Sequence, residues 1–161
     1  MKEKYDDLKI QAEKSAPEFL LYYKKNKNKI DRIDTVVHQL HMDISEKINC
    51  LDCANCCRQL GPAIYDKDIE RMSKYLRMKP SQLTEKYLRI DEDGDYVFKS
   101  MPCPFLMQDK YCSIYEVRPK ACREYPHTDR KKFYQIHALT IKNAETCPAV
   151  FHTLEQLKQE F

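Results

Sequence analysis

Eight cysteines are the residues of this 161-residue chain whose type and spacing indicate chemistry, because thiolates bind metals and react as nucleophiles. Four form a compact run with two residues between successive members and one adjacent pair: Cys50, Cys53, Cys56 and Cys57. The other four are dispersed downstream: Cys103, Cys112, Cys122 and Cys147. Thiolates two residues apart in a loop can converge on one metal, while the amides between them donate hydrogen bonds to sulfur. The pattern predicts a metal site with all eight cysteines as ligands.

Disulfide bonds are the main alternative use of an even number of cysteines. The first ten residues are polar and charged, with no apolar core and no small-residue cleavage site, so we expect no secretory signal and a cytoplasmic protein. Because the cytosol keeps thiols reduced, this favours metal ligands over disulfides. Buried apolar thiols are a second alternative, and Cys57 and Cys147 are the two members that suit it best.

The kind and number of metals stay open at this level. Side chains of adjacent residues diverge, so Cys56 and Cys57 suit a polynuclear cluster or two neighbouring metals better than one ion. The run of three cysteines with two-residue spacing is like that of a bacterial ferredoxin, and Cys103 and Cys147 each precede a proline as a ferredoxin ligand does. Zinc suits cysteines carried on hairpins equally well. The cofactor is therefore an iron–sulfur cluster or zinc, as one cluster or two metal sites.

Composition excludes several other classes of function. A net charge of +3 is too small to indicate nucleic-acid binding, and no apolar run is long enough to cross a membrane. The two glycines, Gly61 and Gly94, stand apart, so no glycine-rich phosphate loop is present. We find no serine–histidine–acid arrangement, paired carboxylates or H-E-x-x-H motif. We therefore name no catalytic residue, leave open whether the protein is an enzyme, and expect an unidentified protein or small molecule as partner.

Local patterns predict the helices that must position the cysteines. Apolar residues recur every three to four positions over 29–48, which predicts a long amphipathic helix. Ser15 predicts the start of a separate helix after a weakly amphipathic stretch over 2–14. Asp66 is the predicted N-cap of another helix, which runs to about Met78.

Turn-forming residues predict short strands near the dispersed cysteines. Asp93-Gly94 lies between two apolar runs, over 88–90 and 96–98, which is typical of a hairpin. Two further runs, over 105–107 and 111–115, flank a polar turn and predict a smaller hairpin. The smaller predicted hairpin contains Cys112.

These elements together predict an α+β fold that is mainly helical. Weak alternation of apolar and polar residues over 133–141 predicts a strand, and Pro148 predicts the start of a final helix that ends near Gln159. We expect a helical N-terminal extension over residues 1–48, packed on a small cysteine-rich, metal-binding domain with short hairpins over 49–161.

Two motifs in this chain resemble signatures of one family. The first is the run from Cys50 to Cys57, and the second comprises Pro102–Leu106, Tyr111–Pro119 and Ala121–Pro126. Together they resemble the CxxCxxCC cysteine-cluster family of zinc- or iron-chelating domains over about residues 49–147. Flagellin lysine N-methylases carry a similar cluster, and that more distant resemblance implies an iron–sulfur-dependent, methyl-transfer-like role.

Other residues of the second motif have physical roles beside the cysteines. Arg118 and Arg123 are predicted to balance thiolate charge or to donate hydrogen bonds to sulfur or to a substrate carboxylate. Ordinary salt bridges with Glu116 or Glu124 are the alternative. His127 follows the motif closely and is a candidate ligand or proton carrier.

Two hypotheses of function follow. The first is an iron–sulfur protein with a redox or protein-modifying role, held through the eight cysteines. The second is a non-catalytic interaction module that zinc stabilises.

Overall fold

A computed structural model describes residues 6–160, apart from the side chains of Leu51 and Asp52. The described chain is mainly helical and has one two-stranded antiparallel sheet, which confirms the predicted α+β class. None of the described helices is long and apolar enough to cross a membrane.

The helices and strands follow one another with short connections. The helices are α1 (Leu8–Lys25), α2 (Ile30–Ser45), α3 (Cys50–Cys53), α4 (Asn55–Gln59), α5 (Asp66–Tyr75), α6 (Pro80–Tyr87), α7 (Lys120–Glu124), α8 (His137–Asn143) and α9 (Pro148–Leu157). The strands are β1 (Leu88–Ile90) and β2 (Tyr96–Phe98). Short 3₁₀ helices cover Lys27–Lys29, Tyr115–Val117 and Phe133–Ile136.

The chain divides into two compact units. The helical unit comprises the described residues of Met1–Asn49 and Pro126–Phe161, and the cysteine-rich unit is Cys50–Tyr125. The first boundary lies next to the predicted one, but the C-terminal segment groups with the N-terminal helices. The division into domains over 1–48 and 49–161 itself stays a prediction.

The helical unit forms around the predicted amphipathic helix. On α2, the apolar positions of the periodic series are buried: Ile33, Val37, Leu40 and Ile44. They pack against α9, whose buried side chains include Val150, Leu154 and Leu157. Burying each such side chain stabilises the fold by roughly 1.5–3 kcal/mol, so this apolar seam fixes the two helices on each other.

Two predictions in the helical unit are wrong. Residues 133–141 form a 3₁₀ helix followed by α8 instead of a strand, because Phe133 is fully buried and Asp34 binds the amides at its start. Ser15 does not begin a new helix, since α1 continues through Pro17. Its apolar face runs on from Ala12 to Phe19, which favours one continuous helix.

The cysteine-rich unit has its own small core behind the cysteines. Its buried apolar side chains come from the segment before α5, from α5, α6 and both strands, and from the following loop: Ile64, Ile69, Met72, Leu83, Leu88, Phe98, Phe105 and Ile114. The hairpin predicted at Asp93-Gly94 is confirmed, with Leu88 opposite Phe98 and Gly94 at a φ of +83°. The smaller predicted hairpin is reduced to a single bridge between Leu106 and Cys112.

Asp34 is the residue whose loss tests the corrected structure of 133–141. Its carboxylate accepts the N–H groups of Phe133 at 3.1 Å and Tyr134 at 3.2 Å. We expect Asp34→Ala to lower the free energy of unfolding by about 2 kcal/mol, because two helix-initial amides lose a charged acceptor.

Asp43→Ala is the matched control, since Asp43 lies on the same helix and accepts only an exposed bond from Gln39 at 3.0 Å. It should change stability by less than about 0.5 kcal/mol in urea unfolding of the full chain. Equal losses in the two variants would contradict the capping role of Asp34.

Candidate metal centre

Seven of the eight cysteines lie in the cysteine-rich unit, on short elements at its surface. Cys50 and Cys53 are the two ends of α3, and Cys56 and Cys57 lie in α4. Cys112 forms the bridge with Leu106, Cys103 lies three residues before Leu106 and its carbonyl accepts the Leu106 N–H, and Cys122 lies in α7. Cys50 is exposed and the other six are half-buried.

A left-handed residue turns the chain between the two halves of the compact run. Ala54 has a φ of +51° and is almost fully buried, and its N–H donates to the Cys50 carbonyl at 3.1 Å. The left-handed conformation ends α3 after one turn and starts α4 in a new direction. Four cysteines thereby fit into eight residues without lying on one continuous helix face.

Backbone hydrogen bonds join the compact run to the dispersed cysteines. The N–H of Cys103 donates to the carbonyl of Cys57 at 2.8 Å, across 46 positions of the chain. Ser113 N–H donates to Phe105 O, also at 2.8 Å, and keeps the arm with Cys112 beside the arm with Cys103. The main chain thus brings three cysteine-bearing segments together.

Three of the thiols accept a hydrogen bond from a backbone amide two residues further along. The donors are Asn55 N–H to Cys53, Phe105 N–H to Cys103 and Ile114 N–H to Cys112. In each case this bond favours the thiolate, because a donor stabilises negative charge on sulfur. Amide donors to sulfur are a recurring feature of thiolate–metal sites, so this donor set fits a metal.

The compact run also contains direct thiol–thiol contacts. Cys56 is within hydrogen-bond reach of both Cys50 and Cys57, and its S–H donates to one of them at a time. That bond lowers the pKa of Cys50 to about 6 and also lowers the pKa of Cys57, while the pKa of the donor Cys56 is raised. The bond from Cys56 therefore favours the thiolate form of the thiol that accepts it.

Burial favours the neutral form of three dispersed thiols, those of Cys103, Cys112 and Cys122. Burial, followed by the negative charge of Cys57, raises the pKa of Cys122 to about 12. Burial raises the pKa of Cys103 to about 11, and it also raises the pKa of Cys112. Because the charge of Cys57 also acts on Cys53, that one thiol influences four others.

Two arginines supply positive charge to the thiols. Arg118 lowers the pKa of Cys50, Cys112 and Cys122, although in each case another effect is larger. Its guanidinium lies 3.9 Å from the centre of the Tyr115 ring and donates to the Tyr115 carbonyl at 2.7 Å. The predicted charge-balancing role of Arg118 at a metal stays a prediction.

Arg58 is the second cation, and the sequence reasoning missed it. It lowers the pKa of Cys53, and its Nη2 donates to Asn55 Oδ1 at 3.4 Å. Its position directly after Cys57 was the available signal. Arg123 donates its backbone N–H to the Pro119 carbonyl at 3.1 Å, and its predicted role beside sulfur stays a prediction.

Cys147 lies in the helical unit, where it packs against the apolar core and precedes α9. Its N–H donates to the Asn143 carbonyl at 2.8 Å. His127 belongs to the same unit. The predicted ligand roles of Cys147 and His127 stay predictions.

The thiols of the cysteine-rich unit influence one another's pKa values without forming a coordination shell. Among residues 6–160, no three histidine, cysteine, aspartate or glutamate side chains already stand in a metal-binding arrangement. The donor chemistry fits a thiophilic metal, and binding would have to draw the sulfurs closer together.

Comparison with known proteins gives one family. No solved structure matches the chain. The sequence model of the CxxCxxCC family, described as "Putative zinc- or iron-chelating domain", matches residues 49–148. This span is more than half of the chain, includes all eight cysteines and confirms the resemblance of the two motifs. The chain therefore belongs to the CxxCxxCC family of zinc- or iron-chelating domains.

Proposed function

We propose that the protein binds iron as an iron–sulfur cluster through the thiolates of its cysteine-rich unit, in a cytoplasmic setting that keeps them reduced. The main support is the number of thiols that Cys57 influences. Its sulfur contacts Cys56. Its charge also raises the pKa values of four other thiols: Cys53, Cys103, Cys112 and Cys122. A single zinc ion takes four ligands. Cys57 and the five thiols that it influences exceed that number, which favours a polynuclear centre.

The residues of this chain have separate tasks in such a centre. The thiols bind the metal after losing their protons, and the amides of Asn55, Phe105 and Ile114 stabilise the resulting charge on sulfur. Arg118 and Arg58 offset the remaining negative charge. A bound cluster would supply one-electron transfer, which suits a redox role or a protein-modifying, methyl-transfer-like role on an unidentified protein or small molecule.

Zinc in a non-catalytic interaction module is the second candidate. Cys103 and Cys112 lie at or close before the bridge between Leu106 and Cys112, and each accepts the amide two residues further along. This arrangement suits a tetrahedral zinc site, because hairpin-borne cysteine pairs supply two of its four ligands. Such a zinc would stabilise the unit without chemistry.

Metal and sulfide analysis of anaerobically purified protein separates the two candidates. We expect brown protein with broad visible absorbance, iron and acid-labile sulfide, since these accompany thiolate-bound clusters. Colourless protein that contains zinc and unfolds on chelation would replace this proposal by the zinc module. Folded protein without metal or sulfide would overturn both.

Single cysteine substitutions test the ligands. We expect Cys53→Ser and Cys103→Ser each to lose metal and to unfold at lower temperature, because a removed thiolate weakens both the centre and the fold that it ties together. Ser113→Ala is the control, since Ser113 is an exposed residue of the same hairpin, next to Cys112. Wild-type metal content in both cysteine variants would remove them from the ligand set.

Metal affinity should rise with pH. The pKa values of Cys103, about 11, and Cys122, about 12, keep both groups protonated at neutral pH, so binding them as thiolates releases protons. Calorimetric zinc titrations of metal-free protein in buffers of different ionisation enthalpy would count these protons. An affinity that stays constant between about pH 6 and pH 8 would contradict the involvement of neutral thiols.

A further inference from the structure

A buried carboxylate behind the cysteines joins two distant segments of the cysteine-rich unit. Asp68 is only 2% exposed and lies in the first turn of α5. It accepts the N–H of Tyr65, the N-cap residue of α5, at 2.9 Å; the prediction of Asp66 as N-cap is wrong, since Asp66 is the first residue of the helix. Its other oxygen accepts the N–H of Lys120 at 3.0 Å, 52 positions further along the chain.

Arg71 extends this contact to the same distant segment. Its Nη2 donates to Asp68 Oδ1 at 2.8 Å and to the backbone carbonyl of Arg118 at 2.9 Å. The two side chains therefore bind the main chain on both sides of Pro119. Capping of α5 needs only the bond from Tyr65 N–H to Asp68. It does not explain the bonds to Lys120 N–H and to the Arg118 carbonyl.

The segment held in this way contributes two groups to the candidate centre. Arg118 carries the guanidinium whose charge acts on Cys50, Cys112 and Cys122. Lys120 begins α7, in which Cys122 donates its N–H to the Pro119 carbonyl at 2.9 Å. The main chain at residues 118–120 thus sets the position of one thiol and one cation.

A contribution to stability alone does not explain well why a partly buried ion pair, Asp68 with Arg71, occupies this place. Removing a carboxylate from water costs free energy, and apolar side chains of similar volume often stabilise a fold as well or better. Directional bonds to two chosen backbone groups, in contrast, fix a loop in one position. A metal centre needs that fixation, because side chains and loops behind the ligands set the ligand geometry.

We propose that Asp68 and Arg71 are positioning residues of the metal centre, which hold residues 118–120 so that Cys122 and Arg118 face the other thiols. This inference rests on the proposed function and adds residues that contact no metal themselves.

Metal release measures this role directly. Protein loaded with Co²⁺ shows thiolate–cobalt absorbance, and a coloured chelator reports the rate at which the metal leaves. We expect Asp68→Asn, Asp68→Ala and Arg71→Lys to release the metal about 10- to 100-fold faster than wild type and to change the absorbance, with the cysteines intact. Asp68→Asn and Arg71→Lys keep the volume of the site and serve if Asp68→Ala does not fold.

Leu83→Ala is the matched control for a merely structural effect. Leu83 is fully buried in the core of the same unit, on α6, and its truncation lowers stability without touching residues 118–120. It should melt at a lower temperature and keep the wild-type absorbance and release rate. If it accelerates release as much as Asp68→Asn does, the effect is one of stability and the positioning role is overturned.

The outcome for wild type separates the two proposals. Wild-type protein that takes up neither Co²⁺ nor any other metal overturns the proposed function. Wild-type protein that binds Co²⁺ and releases it at the same rate as the Asp68 and Arg71 variants overturns only the positioning role.

Discussion

Repulsion between ionised thiols is the constraint on which the cysteine-rich unit depends. Like charges a few ångströms apart in a partly buried site raise each other's free energy, and only some of these groups can be thiolates in the absence of a cation. The bond from Cys56 favours the thiolate form of Cys50 or Cys57, whichever accepts it, while burial raises the pKa of Cys103 and Cys122. A thiophilic cation reverses this balance, because every additional thiolate then lowers the energy of the centre.

The fold meets this constraint with backbone groups more than with a large core. Amides point at the sulfurs of Cys53, Cys103 and Cys112, and the short elements that carry them allow this orientation, since long helices use their amides internally. The apolar side chains of α5 and α6, among them Met72 and Leu83, lie behind these loops and give them a fixed support. Polar backbone groups thus orient the thiols, and a separate set of apolar side chains stabilises the fold of the same unit.

Sequence patterns correctly predicted the elements whose conformation depends on residues nearby in the chain. The apolar series of α2 and the turn at Asp93-Gly94 encode their own structures, and both predictions are confirmed. The strand over 133–141 is wrong because a carboxylate 99 positions away, that of Asp34, decides the local conformation. Within the site, the spacing of the cysteines indicated a metal, whereas the bonds of Asp68 to a segment 52 positions away leave no local pattern in the sequence.

The parts of the site differ in how far protein contacts alone fix them. The segments with Cys103, Cys112 and Cys122 are bound through main-chain groups, by the Cys57 carbonyl, the hairpin and Asp68. The exposed Cys50, in contrast, contacts its neighbour Cys56 through a weak thiol donor. Fixed ligands cost little conformational entropy when a metal binds, whereas the free energy of ordering a mobile one is subtracted from the affinity. The segments with Cys103, Cys112 and Cys122 are thus organised in advance, and any ordering of the exposed Cys50 on binding is subtracted from the affinity.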